Sequence, residues 1–99
     1  MKVIFLGAGA WGTAMAMHAA KNPLCSDVTL WSRSSEQAEQ VQASRCNERY
    51  LKGLVLPESL KVTANWNEAF LKADQDTLVV LATPVSGLKE VVAHLLKTS

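Results

Sequence analysis

"FLGAGAWGTA", residues 5–14, decides how the chain is read. Gly7, Gly9 and Gly12 stand at the spacing GxGxxG. Alone, that spacing is a weak signal. It gains meaning when a strand ends at the first glycine, a helix starts by the last, and a second strand follows about twenty residues on. Each glycine then has its own task. Gly7 permits a tight turn off the strand, Gly9 lets the backbone approach a pyrophosphate with no Cβ between, and Gly12 lets the helix pack close to the sheet. The alternative is a glycine-rich structural turn that holds no ligand.

The flanks supply the required setting. Val3 to Leu6 is a continuous apolar run, as expected of a short strand covered on both faces. Ala10 to Lys21 is predicted helical, with Ala16 and Ala20 continuing the small stripe that begins at Gly12, and Asn22-Pro23 stops it. Asp27 to Trp31 is a second strand, with Ser32, Arg33 and Ser34 in the loop at its end. Ser34 and Gln37 fit a capping box at the start of a polar helix that runs to about Arg45. An irregular block, "NERYLKGLVLP" at 47–57, is followed by a third strand over Lys61 to Thr63. Asn67 is placed to cap a brief helix ending near Ala73. Thr77 to Ala82 is apolar and reads as a fourth, central strand that ends at Thr83-Pro84. Ser86 then caps a last helix, on which Leu88, Val91, Val92, Leu95 and Leu96 share one face.

This alternation argues for an α/β fold: a Rossmann-type doubly wound parallel sheet, truncated at about four strands, with helices on both faces. Right-handed crossovers place strand one beside strands two and four. Residues 1–99 read as one NAD(P)-binding domain, incomplete, with a substrate domain expected elsewhere.

A rival reading comes from charge. Between Val3 and Ala20 there is no Asp, Glu, Lys or Arg, Lys2 gives a basic start, and Ala14-Met15-Ala16 mimics a cleavage site. An export signal or membrane span needs a continuous apolar helix, which the three glycines interrupt. The chain is therefore read as cytoplasmic. Ten basic and nine acidic residues nearly cancel, so nothing electrostatic points to nucleic acid or an anionic membrane as partner. Cys25 and Cys46 read as reduced thiols, and no His or Cys stands at a metal-ligand spacing.

The loop after strand two bears on which dinucleotide is bound. An NAD site usually carries an Asp or Glu there, accepting from the ribose 2′-OH. Here Trp31-Ser32-Arg33-Ser34-Ser35 offers no carboxylate before Glu36. The Arg33 guanidinium suits a 2′-phosphate, with serine hydroxyls as further donors, and the missing acid also disfavours FAD. The alternatives are a solvated surface Arg, or one that stacks on adenine and accepts both cofactors. NADP is the preferred cofactor on this reading, with NAD the alternative.

Four stretches together resemble a known family. "GAGAWGTA" at 7–14, "WSR" at 31–33, "NERYLKGLVLP" at 47–57 and "LATPVSGL" at 81–88 are similar to the amino-terminal part of bacterial NAD(P)-dependent glycerol-3-phosphate dehydrogenases. One departure is Lys52, where the family commonly has Pro. The resemblance implies reversible hydride transfer between a nicotinamide and dihydroxyacetone phosphate or glycerol 3-phosphate, whose product feeds phospholipid synthesis. It also implies that Trp11 and Arg33 line the cofactor site and that Thr83, Pro84, Val85 and Ser86 pass near the nicotinamide. The catalytic lysine and most substrate-binding residues lie in later segments, so no catalytic residue is carried onto this chain. Lys89 and Lys97 read as a solvated helix face.

The candidate cofactor-binding residues are thus Gly7, Gly9, Ala10, Trp11, Gly12, Ser32, Arg33 and Pro84. Trp31 and Trp66 read as packing, and Tyr50 with Asn47 as part of a loop that shapes the cleft. Pro84 is equally readable as a plain strand terminator. A homodimer is left open. Other readings are a ketopantoate reductase or hydroxyacyl dehydrogenase, against which the 47–57 block argues, or a non-catalytic nucleotide-sensing module.

Overall fold

The computed structural model describes residues 1–46, 55–82 and 93. Pro84, Asn47, Tyr50, Lys52, Lys89, Lys97 and, apart from a helical Ala93, the helix expected after Ser86 lie outside the described residues. The elements run β1 (Lys2–Leu6), α1 (Ala10–Ala20), β2 (Asp27–Trp31), α2 (Ser35–Ser44), β3 (Leu60–Thr63), α3 (Trp66–Ala69) and β4 (Thr77–Leu81). The strands form one sheet in the order β3-β2-β1-β4, and each neighbouring pair is parallel. β1 therefore lies between β2 and β4, as right-handed crossovers require.

Successive side chains of β1 serve opposite layers. Val3 and Phe5 join Val28, Leu30, Leu60 and Val62 under α1 and α2, represented by Ala16, Ala38 and Val41. Ile4 and Leu6 join Trp31 and Ala69 on the other face, under α3. Leu6, Leu30 and Leu60 are fully buried, each worth about 1.5–3 kcal/mol. Trp31 packs edge-on against Trp66 at 5.0 Å between ring centroids, and Trp66 stacks on Phe70 at 4.8 Å. The buried Trp31 indole donates to the Ala64 carbonyl at 3.1 Å. Both tryptophans are packing residues, as expected.

Three local expectations are corrected. β4 is an edge strand of the four, and Leu78 and Leu81 are exposed. An apolar run reports a strand made for covered faces and is silent about its edges. The brief helix is capped by Asn65 rather than Asn67: the Asn65 side chain accepts from the Glu68 backbone N–H at 3.0 Å. The two asparagines are near neighbours, and the position beside buried Ala69 is set by packing on Trp31. Finally, only half of the expected capping box forms. Ser34 Oγ accepts from the Gln37 N–H at 3.1 Å, but the Gln37 amide turns elsewhere.

The two flanks of the sheet differ. On β3, the outward N–H of Val62 donates to Gln42 Oε1 at 2.9 Å. Arg45, in the left-handed conformation that ends α2, donates from Nη2 to the carbonyls of Pro57 and Leu60. Side chains of α2 and its cap thus occupy the outer edge of β3.

At the amino end of the sheet, Lys2 Nζ meets Asp74 Oδ2 at 2.6 Å. The Lys2 ammonium holds the Asp74 carboxyl below its usual range, helped by the Asp76 N–H, and Asp74 raises Lys2 in return. The Asp74 contribution is present above the ordinary carboxylate pKa and fades as pH falls through the lowered value. Lys2→Met should therefore lower Tm near neutral pH, and the gap from wild type should shrink by about pH 2. A gap that stays constant across thermal melts from neutral to acid pH would contradict this pairing.

Candidate cofactor site

The carboxyl ends of β1, β2 and β4 meet at one rim of the sheet. The Gly7 N–H donates to the Trp31 carbonyl and the Ala82 N–H to the Leu6 carbonyl, both at 2.9 Å. These bonds carry the strand ladder one step past β1 and fix where the chain turns. Gly7 then takes φ 127°, a conformation that a side chain disfavours. Ala8 is buried, and Gly9 is the N-cap of α1.

Gly9 and Gly12 differ in what they make room for. A Cβ on Gly12 would stand 2.1 Å from the Gly7 carbonyl oxygen and 3.0 Å from Ala82 Cβ. Gly12 is needed for the close approach of helix, turn and the end of β4. A Cβ on Gly9 would meet no atom of the described residues within 4 Å. Among the described residues the space in front of Gly9 is open, and its lack of a side chain serves no packing between them.

The start of α1 suits an anion. Its N-cap has no side-chain hydrogen bond, and its first turn has no acidic residue. The N–H groups of Ala10, Trp11 and Gly12 precede the first intrahelical donor, since the ladder opens with Thr13 N–H to the Gly9 carbonyl at 3.0 Å. They converge with the positive end of the helix dipole. A pyrophosphate fits this chemistry: backbone donors, no competing carboxylate, and an open approach over Gly9. Trp11 stands 60% exposed at the mouth of the turn.

The expected site residues in the loop after β2 separate into two kinds. Arg33 is exposed at the rim. Ser32 is buried, and its hydroxyl donates to Gln37 Oε1 at 2.7 Å while accepting from the Ser34 N–H at 3.2 Å. Its one proton is committed within the loop, which leaves Ser34, exposed and still able to donate, as the nearer hydroxyl for a ligand. Pro84 lies outside the described residues.

Two residues of the rim escaped the sequence reading. Thr13 is fully buried and its Oγ1 donates to the Ala8 carbonyl at 3.2 Å. Gln37 Nε2 donates to the same carbonyl at 3.3 Å. A hydroxyl directly after Gly12 was the available signal for Thr13. For Gln37, the capping-box spacing pointed to the right loop and the wrong partner. Among the described residues there is no cluster of metal-ligating side chains, Cys25 and Cys46 are free thiols, and no helix is long and apolar enough to cross a membrane.

A parallel sheet in this order, with a glycine turn and an uncapped helix start at its carboxyl rim, defines the dinucleotide-binding class of α/β folds. Comparison with known proteins narrows that class. The family described as the NAD-dependent glycerol-3-phosphate dehydrogenase N-terminus matches residues 2–99, and the chain belongs to this family. It is 48% identical over its whole length to a glycerol-3-phosphate dehydrogenase [NAD(P)+] of Polynucleobacter necessarius, of which it covers 29%. Over 96% of its length it is 50% identical to the enzyme so named from Acidovorax sp. JS42, covering 28% of that protein. Among solved structures, the glycerol-3-phosphate dehydrogenase of Coxiella burnetii superposes with a TM-score of 0.81 at 33% identity, over 95% of this chain and 27% of that one. The Plasmodium falciparum enzyme gives a TM-score of 0.83 at 26% identity, over 100% of this chain and 29% of that one. The chain thus spans less than a third of the length of the relatives it matches. Family membership sets aside the ketopantoate reductase and hydroxyacyl dehydrogenase readings.

Proposed function

We propose that this chain is the cofactor-binding part of an oxidoreductase that moves a hydride between NAD(P)H and dihydroxyacetone phosphate or sn-glycerol 3-phosphate. The observation that carries the reading is the open, uncapped helix start at Gly9, in a chain whose relatives are named for NAD(P)+. On this reading residues 1–99 are an incomplete dinucleotide-binding domain, and the remaining length of the enzyme supplies substrate binding and the catalytic acid/base.

The dinucleotide, when bound, supplies the hydride chemistry. This chain's residues bind and orient it. Gly7, Gly9, Ala10 and Gly12 present backbone to the pyrophosphate, with about 0.3–1 kcal/mol from the helix dipole. Trp11 flanks the cofactor, and Arg33 receives the 2′-phosphate, which makes NADP the preferred form and NAD the alternative. Ser32 acts through the loop it organises, and Pro84 is assigned to the nicotinamide side of the cofactor. The reading assigns a small phosphorylated substrate as partner, no nucleic acid and no membrane, a cytoplasmic place in supplying glycerol 3-phosphate for phospholipid synthesis, and leaves a homodimer open.

The test is a titration of the purified 99-residue chain with NADPH and with NADH, followed by tryptophan fluorescence and confirmed by calorimetry. Saturable binding, tighter for NADPH, is expected. The same chain should not turn over dihydroxyacetone phosphate. Absence of dinucleotide binding by the folded chain would refute the cofactor site, and measurable reduction would refute the division of labour.

A further inference from the structure

The loop that carries Arg33 is pinned on both sides by one residue. The neighbour before it, Ser32, donates its hydroxyl proton to Gln37 Oε1 at 2.7 Å. The neighbour after it, Ser34, accepts the Gln37 backbone N–H at 3.1 Å. Ser34 also donates its own N–H to Ser32 Oγ at 3.2 Å, so the three residues close a ring around the base of Arg33. From that ring Gln37 Nε2 reaches across to the Ala8 carbonyl at 3.3 Å, inside the glycine turn.

The direction of this chain is dictated by chemistry. A backbone carbonyl can only accept, so the face of the Gln37 amide toward Ala8 must be its NH2. The amide oxygen then faces Ser32, whose hydroxyl must donate to it. Thr13 Oγ1 donates to the same Ala8 carbonyl at 3.2 Å, which ties the bridge to the first turn of α1. The strand ends are already joined by the Gly7–Trp31 backbone bond, yet that bond lies below both loops. The Gln37 side chain joins the two loops above it.

We propose that Gln37 is a positioning residue that fixes the Arg33 loop relative to the glycine turn, so that the 2′-phosphate and the pyrophosphate of one dinucleotide are met together. The inference rests on the cofactor reading given above. A dinucleotide spans the two loops as one covalently connected ligand, and its affinity is higher when their spacing is set beforehand. NADPH uses both loops, whereas NADH makes less use of Arg33. Loss of the bridge should therefore fall more heavily on NADPH.

The test compares Gln37→Met, which keeps length without hydrogen bonds, with Ser32→Ala and with the double variant. Kd for NADPH and for NADH and the thermal midpoint are measured on the 99-residue chain. Gln37→Met should weaken NADPH about tenfold and NADH about two- to threefold. The double variant should be no worse than the poorer single, because both changes cut the same bridge. Equal losses for the two cofactors, additive losses in the double variant, or unchanged affinity would each overturn the inference, and Ser32→Ala reads the same bridge if Gln37→Met folds poorly. Wild-type chain that binds neither dinucleotide would instead overturn the cofactor reading itself, and the inference with it.

Discussion

Replacing Arg33 with alanine is expected to weaken NADPH binding about ten- to a hundredfold and to leave NADH within about threefold of wild type. The figure follows from one charge-assisted hydrogen bond, about 1.5–3 kcal/mol, at a rim position where the guanidinium is exposed. The selectivity follows from what is missing: no carboxylate precedes Glu36 after β2, so the charged acceptor usual for a 2′-hydroxyl is absent there. Arg33→Lys separates the two ways a cation can act. A point charge retains part of the attraction but not the planar fork, so an intermediate loss is expected. Isothermal titration of the variants with both cofactors checks this, and equal losses for NADPH and NADH would remove Arg33 from 2′-phosphate recognition.

Two alanine substitutions three residues apart should have opposite consequences. In Gly12→Ala the new methyl would lie 2.1 Å from the Gly7 carbonyl oxygen, a backbone atom held by the turn and unable to swing away. The helix must retreat, and a loss of about 3 kcal/mol, on the order of 12 °C or more in Tm, is expected. In Gly9→Ala the methyl meets no atom of the described residues within 4 Å, and φ −73° suits alanine. The chain should fold within about 0.5 kcal/mol of wild type. Its dinucleotide affinity should nevertheless fall more than about tenfold, because the methyl occupies the path of the pyrophosphate. Thermal melts and titrations on both variants decide the matter. A Gly9→Ala chain that binds like wild type would mean that the open space in front of Gly9 is not where the ligand comes.

The sequence made the fold legible because its signals repeat at several levels. The run before Gly7, the helix after Gly12 and the strand ending at Trp31 each support the others, and strand order followed from crossover handedness. What was misread turned on competition between near-equal partners. Asn65 and Asn67 both have the chemistry of a cap, and only packing of Ala69 and Trp66 on Trp31 chooses between them. Gln37 had the spacing to cap Ser34, but the Ala8 carbonyl and Ser32 hydroxyl satisfy both ends of its amide at once. Such a contact crosses from one loop to another and leaves no periodic trace. Ser32 was legible as a polar residue at the rim, while its burial depended on that same unseen bridge.

The sheet's two margins give it a direction. Beyond β3, Gln42 and Arg45 already occupy backbone groups that a new strand would need. Beyond β4, the described residues place no such plug, and Leu78 and Leu81 remain uncovered. Among the described residues, then, only the margin beyond β4 is left unplugged, on the same side of β2 as the crevice between β1 and β4. A strand added there would lengthen the sheet from the crevice side, leaving the plugged β3 margin as its fixed end.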